Sequence, residues 1–209
     1  MAEIREVPMD NIEIENRQEG EKENRVIVMY PAVFNQWSQD LGGFRERVLP
    51  GAFEETILQD NIIAAFNHDD NQLLGRNTSG TLELEEDARG LRAVIDPPDG
   101  YLGDYVINLI ERGDIEGGSF RFEAEEEEWR FTDNAEELDE RELEKCRLID
   151  VGPVTHPAYP DTEAEVDNRN LELRSAEEVH QKAKEQVNHG ESRGFSIEKR
   201  KIEIMELEN

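Results

Sequence analysis

Two residues of this sequence have the types and settings that nucleophilic catalysis requires. Ser119 follows two glycines, which let the backbone turn tightly and leave the hydroxyl uncovered. His68 stands between Asn67 and Asp69, at the polar end of an apolar stretch, where an imidazole is available as a general base. Each residue alone is also typical of ordinary structure, because Gly-Gly-Ser occurs in turns and local hydrogen bonds often hold a strand-end histidine. The surrounding segments must therefore decide between the two interpretations.

The other reactive groups favour structural roles. Cys146, the single cysteine, opens an apolar segment and is predicted to be a small core residue, and it excludes a disulfide within this sequence. His180 and His189 lie in a polar region and are predicted to be surface residues. No metal or cofactor is expected, because the spacing of four aspartates matches no calcium-binding loop: Asp69, Asp70, Asp96 and Asp114.

The charge balance excludes several classes of partner. The 209 residues include 23 Lys and Arg against 51 Asp and Glu, a net charge of −28. Clustered basic residues drive binding to nucleic acid and to anionic lipid, so neither partner is expected. No apolar run is long enough to span a membrane and no signal-peptide pattern is present, so a cytoplasmic protein is predicted. The acidity favours adaptation to high salt and ordinary solubilising surface charge equally.

Short strands account for most of the predicted secondary structure. They are expected from β-branched, aromatic and alternating residues at 25–34, 62–69, 81–87, 91–97, 117–124 and 146–159. The second of these strands delivers His68 to its tip. Alternation along 117–124 places Ser119 and Arg121 on one face, and Phe120 and Phe122 on the other.

The helices and the flanking regions complete the predicted organisation. An apolar stripe predicts a helix over 101–112 that ends at Gly113, and a shorter helix is expected over 52–59. With no βαβ alternation, the sequence predicts a mainly β chain with flanking helices, in the α+β class. Residues 125–145 are predicted to form an edge strand and a long solvated excursion.

Three regions are expected along the chain. Residues 1–24 form a polar N-terminal segment, and residues 25–162 form the folded domain. Residues 163–209 form a charged tail, helical or disordered, because they carry too few large apolar groups to offset the entropy of ordering them. Good helix formers at 171–187 could dock on a partner or on the domain.

The set and order of several motifs resemble one known family. Taken with Ser119 and His68, the chain is similar to the tailed-phage prohead maturation serine proteases, which are related to the herpesvirus capsid-assembly proteases. The likeness covers about residues 25–165. It rests on LPGAF at 49–53, ETI at 55–57, NHD at 67–69, LGR at 74–76, TSGTL at 78–82, RGDI at 112–115, GGSFRF at 117–122 and LIDVGPVTHPAYPDT at 148–162.

The resemblance implies a serine protease with Ser119 as nucleophile and His68 as general base. Relatives usually carry Glu-Val-Ser where this chain has Asp150, a valine and Gly152, so the resemblance carries the third catalytic role to Asp150. Here the carboxylate is one methylene shorter and the serine is missing. The herpesvirus branch uses a second histidine, which makes His156 a rival for that role.

The resemblance also implies a herpesvirus-assemblin-like antiparallel β-barrel of about seven strands. Three groups are candidates for the oxyanion hole: backbone N–H groups near Phe120, and the side chains of Arg76 and Arg121. Either arginine could equally form ordinary ion pairs in so acidic a chain.

The implied function is an endopeptidase that cleaves scaffold segments or major capsid protein extensions, and itself, inside the assembling prohead. It would act in the cytoplasm of an infected or lysogenic host, with homo-oligomers possible. One alternative is a catalytically silent capsid-assembly or scaffolding protein that keeps the protease fold, although retention of both Ser119 and His68 favours the enzyme. A third interpretation is an unrelated acidic β-domain.

Overall fold

Strands make up most of the structure. The computed structural model describes residues 2–8, 12–19, 22–115, 117–134, 136–155 and 176–187. Its strands are β1 (Glu3–Pro8), β2 (Ile12–Glu19), β3 (Lys22–Val33), β4 (Phe44–Val48), β5 (Ile63–Ala65), β6 (Leu73–Arg76), β7 (Leu82–Glu86), β8 (Gly90–Ile95), β9 (Gly117–Arg130) and β10 (Asp139–Val154). Its helices are α1 (Glu54–Gln59), α2 (Tyr101–Arg112) and α3 (176–187), and short 3₁₀ turns cover Phe66–His68 and Asn77–Ser79.

The described strands form two sheets. The larger sheet has six strands in the order β1-β9-β10-β5-β6, with β4 also pairing with β10. Its long strand β10 pairs antiparallel with β9 on one side, and parallel with β4 and then β5 on the other. The smaller sheet has four antiparallel strands in the order β2-β3-β8-β7. Strand β10 therefore holds β9 and the end of β5 on its opposite sides.

An apolar core joins the two sheets. Met29 of β3 is fully buried, and so are Phe120 and Phe122 of β9. Burying one such side chain contributes about 1.5–3 kcal/mol. Because successive strand residues point to opposite faces, burial of the two phenylalanines leaves Ser119 and Arg121 together on the other face of β9, as the alternation predicts.

The prediction of a mainly β chain with helices is confirmed. The finer prediction of a barrel of about seven strands is not confirmed. The described strands form two sheets, and the larger one ends at β1 and β6 without closing on itself. The parallel pairing of β4 and β5 with β10 also departs from an antiparallel barrel.

Two acidic regions contain more strand than the sequence predicts. The first 24 residues, predicted to be a polar segment, supply β1 to the larger sheet and β2 to the smaller one. Over 125–145, where an edge strand and a solvated excursion are predicted, the structure has the paired ends of β9 and β10, which extend to Arg130 and begin at Asp139. Glutamate has low strand propensity, but cross-strand pairs compensate, as where Arg141 Nε donates to Glu127 at 2.6 Å.

The predicted helices are present. Helix α2 begins and ends where its apolar stripe indicates, and Gly113 follows it in the left-handed conformation at φ 75°. Helix α1 lies inside the predicted range 52–59. None of the helices in the described ranges is long and apolar enough to cross a membrane. The domain boundaries at residues 24 and 162 stay a prediction.

Helix α3 packs against the larger sheet although it lies within the predicted tail. Ala176 is fully buried beside Leu41 and Phe44, and His180 is 3% exposed. These two helix residues are four apart, so they share the face that meets the sheet. The prediction of a surface position for His180 is therefore wrong, because the helical period gives a polar segment one buried face. His189 lies outside the described residues.

Candidate active site

Three segments converge beside the second half of β10. Asp150 lies on β10, opposite Arg121 of β9, and Gly152 is opposite Ser119. On the other side, β5 pairs with β10 at Asp150 and leads directly into the 3₁₀ turn that carries His68. The strand order therefore brings together side chains that are far apart in the sequence.

An unusual backbone conformation aims His68 at the site. Both Asn67 and His68 have positive φ, at 54° and 55°. For residues other than glycine this conformation costs about 1–3 kcal/mol each, and neighbouring structure must enforce it. The Asn67 side chain accepts a hydrogen bond from the backbone N–H of Thr155 at 3.0 Å, which ties the turn to the end of β10. Asparagine tolerates this conformation better than most residues do.

The three predicted catalytic residues form one hydrogen-bonded chain. Nε2 of His68 lies 2.6 Å from Oγ of Ser119, and Nδ1 contacts Oδ1 of Asp150. Ser119 and Asp150 are fully buried, and the His68 side chain is 7% exposed. An imidazole placed in this way can take a proton from the hydroxyl, while the carboxylate fixes its tautomer and stabilises the imidazolium.

Arg121 holds the second oxygen of the carboxylate. Nη2 of Arg121 forms an ion pair with Oδ2 of Asp150, although the geometry is not that of a hydrogen bond. The same Nη2 donates a hydrogen bond to Oδ1 of Asp70 at 3.2 Å. An isolated carboxylate in a buried site would carry a large desolvation cost, which a guanidinium offsets. Sequence reasoning considered Arg121 for the oxyanion hole, whereas the structure places it behind the carboxylate.

Gly152 explains one departure from the family pattern. A Cβ atom at this position would lie 1.8 Å from the carbonyl oxygen of Ala65, so β5 approaches β10 too closely for any side chain there. The serine that the resemblance implies at this point could not be accommodated without a shift of the backbone. The same close approach brings the turn after β5, with His68, next to Asp150.

Arg76 and Phe120, the other oxyanion candidates, occupy different settings. Arg76 lies on β6 and donates from Nη1 to Asn61 at 2.7 Å, so its guanidinium has a local acceptor. Phe120 directly follows Ser119 on β9, and its backbone lies between strands β1 and β10. Its ring is buried in the core. Backbone N–H groups beside Ser119 are thus nearest in sequence to the developing charge.

One contact at the site had no signal in the sequence. The Ser119 hydroxyl donates to the backbone carbonyl of Arg5 at 2.8 Å. Arg5 lies on β1, which pairs with β9 directly alongside the nucleophile. A main-chain carbonyl has no residue-type signature, so only the strand pairing identifies it.

The remaining candidates lie elsewhere. His156, the rival for the third role, is outside the described residues. Cys146 is confirmed as a core residue, and burial raises the pKa of its thiol, which makes it a poor nucleophile. The described part of the chain contains no cluster of three or more His, Cys, Asp or Glu residues arranged to hold a metal ion.

One comparison with known proteins identifies a family. The family model described as caudovirus prohead serine protease matches residues 10–182. The chain is also similar to the solved structure of the bacteriophage T4 capsid assembly protease gp21, at 14% identity and a TM-score of 0.48, over 75% of this chain and 98% of that one. Comparison with curated proteins gives no match.

Proposed function

Since the chain belongs to the caudovirus prohead serine protease family, we propose that it is an active serine endopeptidase with Ser119, His68 and Asp150 as its catalytic residues. The observation that supports the proposal most directly is the contact of one imidazole with both other residues, through Nε2 to Ser119 Oγ at 2.6 Å and through Nδ1 to Asp150. A silent relative has no chemical reason to keep this geometry.

In the proposed mechanism, Oγ of Ser119 attacks the carbonyl carbon of the scissile bond while Nε2 of His68 takes its proton. The tetrahedral intermediate collapses as the imidazolium gives that proton to the leaving amine, which departs as the first product. Water, deprotonated by His68, then attacks the acyl-enzyme carbonyl carbon. The second intermediate collapses as the ester C–O bond breaks and His68 returns the proton to Ser119 Oγ, which releases the acid product. Throughout, the Asp150 carboxylate accepts the Nδ1–H hydrogen bond.

The oxyanion donors are assigned to backbone N–H groups beside Ser119. Arg76 donates to Asn61, and Arg121 faces Asp150 and Asp70, so each guanidinium already has acceptors. Arg121 instead acts as a positioning residue that keeps the Asp150 carboxylate oriented. Preorganised donors to the oxyanion are commonly the largest electrostatic contribution in acyl transfer.

The proposed substrates are scaffold segments and extensions of the major capsid protein, together with the chain itself, within the assembling prohead in the host cytoplasm. A homo-oligomer is compatible with this role. The protease domain would span residues 25–162, with strands β1 and β2 preceding it and a tail after it. Since the family model continues to residue 182, the first seven residues of helix α3, 176–182, lie inside the region that the family shares.

The test compares two serine variants of the purified full chain. Ser119→Ala should abolish self-shortening, measured by mass over hours, and labelling by a fluorophosphonate probe, since losing a nucleophile typically lowers turnover by about 10⁴–10⁶-fold. Ser79→Ala, which removes an exposed hydroxyl in a turn, is the matched control and should retain both. Unchanged activity in Ser119→Ala would contradict the assignment. A folded wild-type chain that neither cleaves nor labels would favour the silent assembly protein.

A further inference from the structure

The N-terminal strand lies over the catalytic nucleophile. Strand β1 pairs antiparallel with β9, with Glu6 opposite Ser119 and Arg5 opposite Phe120. The Ser119 hydroxyl donates to the Arg5 carbonyl at 2.8 Å and has no exposed surface. A substrate must bring its own carbonyl to this oxygen, and a peptide carbonyl of β1 already contacts it.

This contact also competes with the general base. A serine hydroxyl has one proton, and two acceptors lie within reach: Nε2 of His68 at 2.6 Å and the carbonyl of Arg5 at 2.8 Å. When the proton points to Arg5, Nε2 cannot receive it, and attack does not begin. The arrangement with β1 in place is therefore a resting state.

Strand β1 lies at a position from which a strand can leave the sheet. It is the edge strand of the larger sheet, and among the described strands it forms a main-chain ladder with β9 alone. An extended peptide binds a sheet edge through the same main-chain hydrogen bonds that an edge strand makes. We infer that the β9 edge beside Ser119 is the peptide-binding edge of the enzyme, and that β1 is an internal inhibitory strand which substrate displaces; this inference rests on the proposed function.

A buried ion cluster holds β1 in this place. Arg5 donates to Glu46 of β4 at 2.6 Å, and Arg141 of β10 donates to Glu3 at 2.7 Å. All four residues are at most 5% exposed. Burial alone would raise the pKa of Glu3, but hydrogen bonds and charge from Arg141 and Arg5 lower it below its ordinary value, which keeps the carboxylate ionised. Ion pairs therefore hold β1 in place together with the main-chain hydrogen bonds to β9.

Each charged residue of the cluster keeps a partner of opposite charge when β1 leaves. Within β1, Arg5 pairs with Glu3 at 2.8 Å, and these two residues depart together. Behind them, Arg141 stays paired with Glu46 at 3.0 Å and with Glu127 at 2.6 Å. Removing one partner of a buried ion pair is strongly destabilising because it leaves an uncompensated charge. Release of β1 avoids that cost, so the strand can leave without unfolding the sheet behind it.

The experiment weakens the docking of β1 and measures access to Ser119. Glu3→Gln keeps the shape of the side chain but removes the charge that binds Arg141. In the full chain it should raise the rate of fluorophosphonate labelling at Ser119 and of self-cleavage by about tenfold or more. Glu13→Gln on the exposed face of β2 is the matched control and should label at the wild-type rate. A purely structural role for Glu3 predicts equal or lower activity.

A synthetic peptide provides the reverse measurement. The sequence AEIREVP, residues 2–8, should slow labelling of the Glu3→Gln protein when added in trans, because it refills the β9 edge. The same peptide with proline in place of Glu6 loses a backbone N–H and should inhibit less. If Glu3→Gln does not fold, a full chain with an exogenous protease site inserted after Pro8 replaces it, and cutting at that site should raise labelling.

The outcomes separate the two proposals. Equal, measurable labelling of wild type and of the chain with β1 weakened or cut overturns the inhibitory role and leaves the protease function standing. Absence of inhibition by the peptide has the same meaning. Absence of labelling and cleavage in every folded variant overturns the proposed function itself, and the inference falls with it.

Discussion

The molecule contains two buried histidine–aspartate pairs with different surroundings. In the first, His68 contacts Asp150 through Nδ1 and Ser119 through Nε2. In the second, His180 of α3 contacts Asp139 through Nε2 at 2.6 Å, and its ring stacks on Trp129 at 5.5 Å between centroids. The pairing is the same, but only His68 presents its other nitrogen to a hydroxyl.

The difference extends to the carboxylates. Asp139 accepts from the Thr132 N–H at 2.9 Å and from Lys184 at 2.9 Å as well as from His180, so both its oxygens are used in holding α3 and a loop to the sheet. Asp150 gives one oxygen to His68 and the other to Arg121. The contact of the second ring nitrogen therefore distinguishes a buried His–Asp pair suited to catalysis from one that only stabilises the fold.

The largest expected difference between the pairs is in turnover. Asp150→Asn should lower kcat by about 10⁴-fold, because an amide does not hold the imidazole in the tautomer that accepts from Ser119. Asp139→Asn should leave kcat unchanged. Steady-state kinetics on one peptide substrate measures both, with thermal melts to verify folding. If Asp150→Asn is mild and His156→Ala is severe, the third catalytic role belongs to His156.

Stability should show the opposite order. His180→Ala removes a buried ring that packs on Phe44 and Trp129, and should reduce the free energy of unfolding by about 2–4 kcal/mol while kcat is retained. His68→Ala should abolish turnover with a smaller change in melting temperature. Calorimetry measures the stability of both variants, and an activity assay on the same samples measures their turnover. Loss of activity without loss of stability in His180→Ala would remove the distinction between the two pairs.

The smallest expected effect is a difference in acid sensitivity. Burial alone would raise the pKa of Asp139, but the Thr132 N–H, Lys184 and His180 together lower it below its ordinary value of 3.8. A carboxyl whose pKa is lower in the folded state stabilises above its unfolded pKa, and this contribution is lost as pH falls through the lowered value. Between about pH 5 and pH 3, Asp139→Asn should therefore lose less in melting temperature than wild type.

The exposed Asp133→Asn in the same loop is the control, and its melting temperature should fall with acid as that of wild type does. Identical slopes for Asp139→Asn and wild type would show that Asp139 contributes nothing to the pH dependence. The helix α3 contact would then depend on the aromatic rings alone.

Local patterns in the sequence were sufficient for the elements that carry the site. The apolar stripe predicts α2 with its bounds, and alternation along 117–124 predicts which face of β9 carries Ser119. The residue types and motif order also identify the family and nominate His68 and Asp150. These features depend on side-chain periodicity and on short motifs. Both can be recognised in a segment without knowledge of the rest of the chain.

Other features depend on pairings between distant segments. The acidic ends of β9 and β10 look like a solvated loop because their strand propensity is low, and only cross-strand ion pairs make them a ladder. His180 looks like a surface residue because its neighbours are polar, and only the docking of α3 buries it. In both cases the stabilising partner lies on another element, so composition along the segment gives no signal.

The sequence by itself determined the chemistry that is available: one hydroxyl after two glycines, an imidazole at a strand end, and a carboxylate in a buried strand. The tertiary structure decided which of these groups meet, and in what state. Ser119 and the Arg5 carbonyl are 114 positions apart, and their contact exists because β1 pairs with β9. Gly152 is required because β5 approaches β10 too closely for a Cβ atom. Distances of this kind follow from the packing of whole sheets, because strand register is set by every contact along both partners at once.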